Sequence, residues 1–188
     1  MQSQVVNQYT KTKDKKRFNQ GDILKDISLF VLTGSGELQV SEINLEYAIV
    51  VSQDCDLEHD YNNRNNPAKK DEDKFLPNIL LLPAYLATKF RTGEHRGDEI
   101  KGLTWGSDKW KLISQNNEAR FHFISQSEDY QIPELVLDFK HLYTIDRDML
   151  YNKMGNVYLA SICELYRELL SQRYSNFLGR IGLPEISS

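Results

Sequence analysis

Only two cysteines, Cys55 and Cys163, occur in the 188 residues of this chain. Two thiols cannot build a disulfide framework, so a core must hold the fold, and reduced thiols in the cytoplasm are the simplest expectation. Long apolar runs are missing as well. No stretch approaches the ~20 apolar residues that a bilayer-crossing helix needs. The N-terminal MQSQVVNQYTKTKDKKRFNQ lacks the apolar centre of a secretory signal, so no membrane partner is expected. An overall excess of positive charge is also absent: the formal net charge is −4, which excludes a uniformly basic nucleic-acid binder. What is present, a chain 40% apolar, suits one domain that buries a sizeable core without staples.

The basic residues that do occur are unevenly placed. Lys11, Lys13, Lys15, Lys16 and Arg17 crowd the start of the chain, and Lys89, Arg91, His95 and Arg96 form a second group. Either group suits phosphate contacts, and either suits a solvated surface. Residues 1–17 are polar without periodicity and read as a mobile basic arm. Residues 18–188 then form a single domain.

Along that domain, Gly21 marks a turn, and Ile23, Ile27, Leu29 and Val31 open a strand-like pattern that ends in the loop Thr33-Gly34-Ser35-Gly36. Strands are predicted at 38–43, 47–52 and 78–83, the last a fully apolar run closed by Pro83. Residues 58–77, rich in Asn, Asp and Lys, read as a surface loop. Ala84 to Phe90 suits a short helix, 110–113 and 120–124 a hairpin turning at Asn116-Asn117, and 134–139 another strand. From Leu159 to Phe177 apolar residues recur at three- and four-residue steps. That is the stripe of an amphipathic helix of roughly 20 residues, with Cys163 packed upon it. Strands followed by one long helix favour an α+β, mainly β fold: a small barrel or curled sheet with the C-terminal helix packed on it.

Candidate chemistry concentrates in Tyr47–His59, YAIVVSQDCDLEH, where an apolar strand runs straight into Asp54, Cys55, Asp56 and His59. Cys55 and His59 are candidate metal ligands, completed by a carboxylate and by His95, His122 or His141. They also make a candidate Cys–His pair. Against both stands a turn in which Asp54 or Asp56 caps the backbone and Cys55 packs inward. Arg120 and His122, two apart, share one face of a strand and suit phosphate binding with acid/base chemistry. They equally suit the solvated face of a hairpin whose Phe121 and Phe123 take the core side. The candidate catalytic set is therefore Asp54, Asp56, His59, Arg120 and His122. Tyr85, Phe90, Trp105 and Trp110 interleave with basic residues, a pattern suited to single-stranded nucleic acid. That makes Lys89, Arg91, Arg96 and Trp110 the candidate nucleic-acid contacts; an ordinary half-buried surface has the same composition. No cofactor is called for.

With the segments placed, their order resembles the MazF/PemK toxin family. Gly21-Asp22-Ile23 resembles its opening strand, Ala48-Ile49-Val50-Val51-Ser52 its second, and Leu80-Leu81-Leu82-Pro83 the strand that ends in proline. Thr144-Ile145-Asp146-Arg147, followed by Leu150, is similar to its closing segment, and the helix after Gly155 falls where the family places its last one. The resemblance implies an SH3-like barrel with a C-terminal helix, and a role in prokaryotic toxin or phage-defence biology. It also implies RNA or other nucleic acid as ligand, and a homodimer or an antitoxin-like protein partner. The family's ribonucleases carry an Arg-Pro pair where this chain has Glu46-Tyr47, and a Thr or Ser shortly after the proline where it has Ala84-Tyr85. Ribonuclease activity is thus an open question beside two alternatives: a non-catalytic protein-interaction module, and a metal-dependent enzyme using the Asp54–His59 cluster.

Overall fold

A computed structural model of the chain describes residues 7–34, 36–68, 71–96 and 104–180. Among them the elements are β1 (Tyr9–Thr10), β2 (Asp22–Thr33), β3 (Gln39–Val50), α1 (Asp54–Arg64), β4 (Asn78–Leu86), α2 (Ala87–Thr92), α3 (Ser107–Ser114), β5 (Phe121–Ile124), β6 (Leu135–Asp138), β7 (Tyr143–Asp146), α4 (Arg147–Asn152), α5 (Met154–Val157), β8 (Tyr158–Ile162) and α6 (Glu164–Leu178). The strands form one curled antiparallel sheet in the order β1-β8-β2-β3-β4-β6-β5, with β7 also paired to β4. The fold is α+β, dominated by that sheet.

Apolar residues on both faces of the central strands explain why helices cover both sides. Ile23, Ile49 and Leu82 pack with Leu170, Tyr174 and Phe177 of α6. Leu24, Ala48, Val50 and Leu81 pack on the other side with Leu57 of α1, Leu150 of α4 and Met154 and Val157 of α5. A third cluster joins Phe90 of α2 and Ile113 of α3 to Phe121 and Val136. Side chains as completely buried as Phe18 and Phe90 each contribute about 1.5–3 kcal/mol.

Two irregularities shape the sheet. Asp26 lies in the left-handed region at φ 55°, a conformation that Asp tolerates better than most side chains. Across it the residues facing the second cluster change from Ile27, Leu29 and Leu45 to Leu24, Ala48 and Val50, so their parity along the strand switches. The second irregularity is on β4, where β7 pairs with residues 78–81 and β6 with residues 84–86. Pro83 has no N–H to give a ladder and sits in that gap, paired with Ala48 on the other edge. The intervening residues 139–142 connect β6 to β7, with Phe139 buried.

Several expectations need correction. Residues 7–17 are not a free arm: Tyr9 pairs with Ile162 and is buried, and the Lys15 ammonium is 2.9 Å from the fully buried Asp22 carboxylate. Residues 1–6 lie outside the described ones. The expected surface loop 58–77 contains most of α1, because Leu57 and Asp60 face inward while the rest of the helix is solvated. Predicted strands 38–43 and 47–52 are one strand, β3. The segment 110–113 is helical, and β5 pairs with β6 instead. The long helix begins only at Glu164. Leu159, Ala160, Ser161 and Ile162 are buried as a strand between β1 and β2, and Cys163 is half-buried at the junction.

Candidate functional site

The strand-end cluster folds as the first turn of α1, and its side chains diverge. Asp54 faces Arg17 at 3.2 and 3.3 Å, the Asn19 side-chain amide at 3.2 Å and the Gln20 N–H at 3.2 Å. Burial alone would raise its carboxyl, but these donors and the charge of Arg167 hold it below the usual carboxylate range. Asp54 thus ties the N-terminal segment to α1. It does not cap the helix: Gln53 is the N-cap residue, without a side-chain cap. Cys55 is exposed rather than packed inward, with its Sγ 3.6 Å from Gln53 Oε1. His59 is exposed on the same helix. Among the described residues no three His, Cys, Asp or Glu side chains gather closely enough to hold a metal ion. Asp56 lines a groove of about 500 Å³ with Gln20, Ser52, Gln53, Asn78 and Tyr174.

Arg120 and His122 do not form an open pair. Arg120 clamps the buried Asp138 carboxylate through Nε at 2.8 Å and Nη2 at 2.5 Å. His122 is buried, not solvated, beside the Phe139 ring. Burial and the nearby Arg173 charge push its pKa down to about 3, so it is neutral near pH 7. Arg173 itself donates to the carbonyls of Asn116, Glu118 and Phe121, fastening α6 to β5. No groove described here holds Arg120, His122 and Asp54 together.

A different set converges where β3 and β4 separate. A groove of about 230 Å³ is lined by Glu46 and Tyr47 of β3, Tyr85 of β4, Lys89 of α2, and Glu94 and His95 of the following 3-10 turn. Lys89 Nζ lies 3.0 Å from Glu46 Oε2 across it. The Tyr85 hydroxyl is 2.7 Å from His141 Nδ1, and His141 Nε2 is 3.7 Å from Asp138 Oδ2. Asp138 builds the turn that presents His141, its side chain accepting from the Lys140 N–H at 3.0 Å and its carbonyl from the His141 N–H at 2.9 Å. Burial raises the Asp138 carboxyl, but Arg120, the Lys140 N–H and His141 outweigh it and keep the group ionised below the usual carboxylate range. A chain Arg120–Asp138–His141–Tyr85 therefore runs through the buried Asp138 to a tyrosine that lines the groove. The sequence hides it, because Tyr85 and His141 are 56 positions apart and His141 lies on the segment between β6 and β7.

Of the expected nucleic-acid contacts, Lys89 lines this groove, and Arg91, two positions on along α2, lies over the Trp110 ring at 5.6 Å. The Arg96 side chain is outside the described residues. No protein-family model matches the sequence, and no curated protein matches it. Fold and site together define an α+β protein on a curled antiparallel sheet with a polar groove between β3 and β4. None of the described helices is long and apolar enough to cross a membrane.

Proposed function

We propose that this chain is a divergent MazF/PemK-like protein of prokaryotic toxin or phage-defence systems that engages single-stranded RNA along the β3–β4 groove. One observation carries the reading: residues 46–47 and 84–85, where the resemblance locates the family's catalytic side chains, line a single groove. Glu46 occupies the arginine position, and Lys89 supplies a cation from the opposite wall, 3.0 Å away. A phosphate entering the groove exchanges with Glu46 for that ammonium, and Arg91 with Trp110 offers a cation and a stacking ring alongside. Fluorescence anisotropy with a labelled RNA 12-mer tests this. Wild type is expected to bind with strong salt dependence, each lost phosphate contact lowering the log–log slope by about 0.7. Lys89→Ala and Arg91→Ala should each weaken binding and flatten that slope. Affinity weaker than about 100 μM at low salt, or variants indistinguishable from wild type, would defeat the reading.

A second reading, a protein-interaction module, has its own support. The outer end of the β2–β3 hairpin exposes Phe30, Leu32, Leu38 and Val40 by 63–72%, an apolar patch suited to a second copy or an antitoxin-like partner. Light scattering across a concentration series separates a self-associating chain from a monomer.

A further inference from the structure

We infer that Tyr85 is a catalytic proton-transfer residue, acting on a phosphodiester held in the β3–β4 groove, with His141 as its proton acceptor. The inference rests on the nucleic-acid reading of that groove and adds chemistry to it. The geometry is directional. His141 turns Nε2 toward the ionised Asp138 at 3.7 Å, which favours the tautomer protonated at Nε2 and leaves Nδ1 to accept from the phenol at 2.7 Å. Asp138 is fixed by two bonds from Arg120 and one from the Lys140 N–H, so Arg120 and Asp138 are positioning residues for the imidazole. The Tyr85 ring is held by Phe90 and His95, with centroids at 6.3 and 4.8 Å. The phenol is thus oriented by contacts on both ring and hydroxyl.

The step balances without a further reagent. A hydroxyl nucleophile attacks phosphorus and gives its proton to Tyr85 Oη, while the phenolic proton passes to His141 Nδ1. The new P–O bond forms as the P–O bond to the leaving oxygen breaks, and that oxygen recovers a proton from the imidazolium through Tyr85. Asp138 stabilises the imidazolium, and the Lys89 ammonium meets the charge developing on the phosphoryl oxygens. Among the described residues, Asp138 and His95 are titratable groups that face this chain, and Glu46, Lys89 and Glu94 line the groove.

The test uses the full chain with a 5′-labelled single-stranded RNA, reading binding by anisotropy and cleavage by single-turnover gel assay. Tyr85→Phe keeps the ring and removes the hydroxyl. It is expected to slow cleavage about 10²–10⁴-fold while affinity stays within about twofold. His141→Gln should slow cleavage similarly while affinity stays within about twofold. Nitrogen-15 NMR of wild type, independent of any variant's folding, should show His141 carrying its proton on Nε2. Cleavage by Tyr85→Phe at the wild-type rate, a proton on His141 Nδ1 near pH 7, or RNA bound but never cut would each overturn the relay and leave the binding reading standing. Absence of binding by wild type would overturn that reading and the relay with it.

Discussion

His122 on β5 is 5% exposed, lies beside Phe139 and Arg173, and has a pKa pushed down to about 3 by burial and then by the arginine charge. A folded-state pKa below the unfolded value of about 6.5 makes neutral His122 a source of stability above pH ~6.5 that is lost as pH falls toward 3. His122→Leu removes the titration. Between pH 6 and 4 the unfolding free energy of wild type should therefore fall relative to the variant, by up to about 1.4 kcal/mol per pH unit. Urea denaturation at unit pH steps measures this, and parallel curves for the two proteins would refute it. Other charges are absorbed by the fold in the same way. Asp60, buried in α1, accepts from Arg64 at 2.6 Å, Arg147 at 2.8 Å and the Leu76 N–H at 2.9 Å. Asp22 accepts from Ser161 at 2.6 Å beside Lys15. Sequence position alone gives no way to separate these structural carboxylates from Asp138, whose neighbour His141 meets the Tyr85 hydroxyl.

The element that sequence patterning misses most clearly is α1. Its eleven residues bury only Leu57 and Asp60, so the helix has almost no apolar stripe and looks like a polar loop. The tertiary Asp60–Arg147 and Asp54–Arg17 pairs, with the Asp60–Arg64 pair inside the helix, hold it in place. Leu57→Ala should cost about 2–5 kcal/mol as a core truncation. Cys55→Ser, on the exposed side, should stay within about ±0.5 kcal/mol. Thermal melts of the two variants decide it; a costly Cys55→Ser with a silent Leu57→Ala would mean that the helix presents its other face. The converse error occurs at 158–162, where apolar residues continue the three-and-four rhythm of α6 into a strand. Buried on both faces between β1 and β2, β8 has no polar alternation to distinguish it from buried helix.

For the whole molecule, the N-terminal segment is part of the sheet and not an appendage. Deleting residues 1–17 removes β1 and Arg17 and takes the Lys15 charge from the buried Asp22, leaving it the Asn19 N–H and the Ser161 hydroxyl. The truncated chain is expected to melt well below wild type, and equal melting temperatures would show the segment to be dispensable. The sequence by itself determined the strand pattern from Ile23 to Val31, the apolar runs 47–52 and 78–83, the loop near Gly34, the helix through Tyr174 and Phe177, and the α+β class, because burial of those side chains depends on local periodicity. Only the tertiary structure decided that Arg120 serves Asp138, that Asp54 serves Arg17, and that Tyr85 meets His141. Those partners lie 18 to 56 positions apart, and only the pairing and packing of strands and helices brings their polar groups within hydrogen-bond distance.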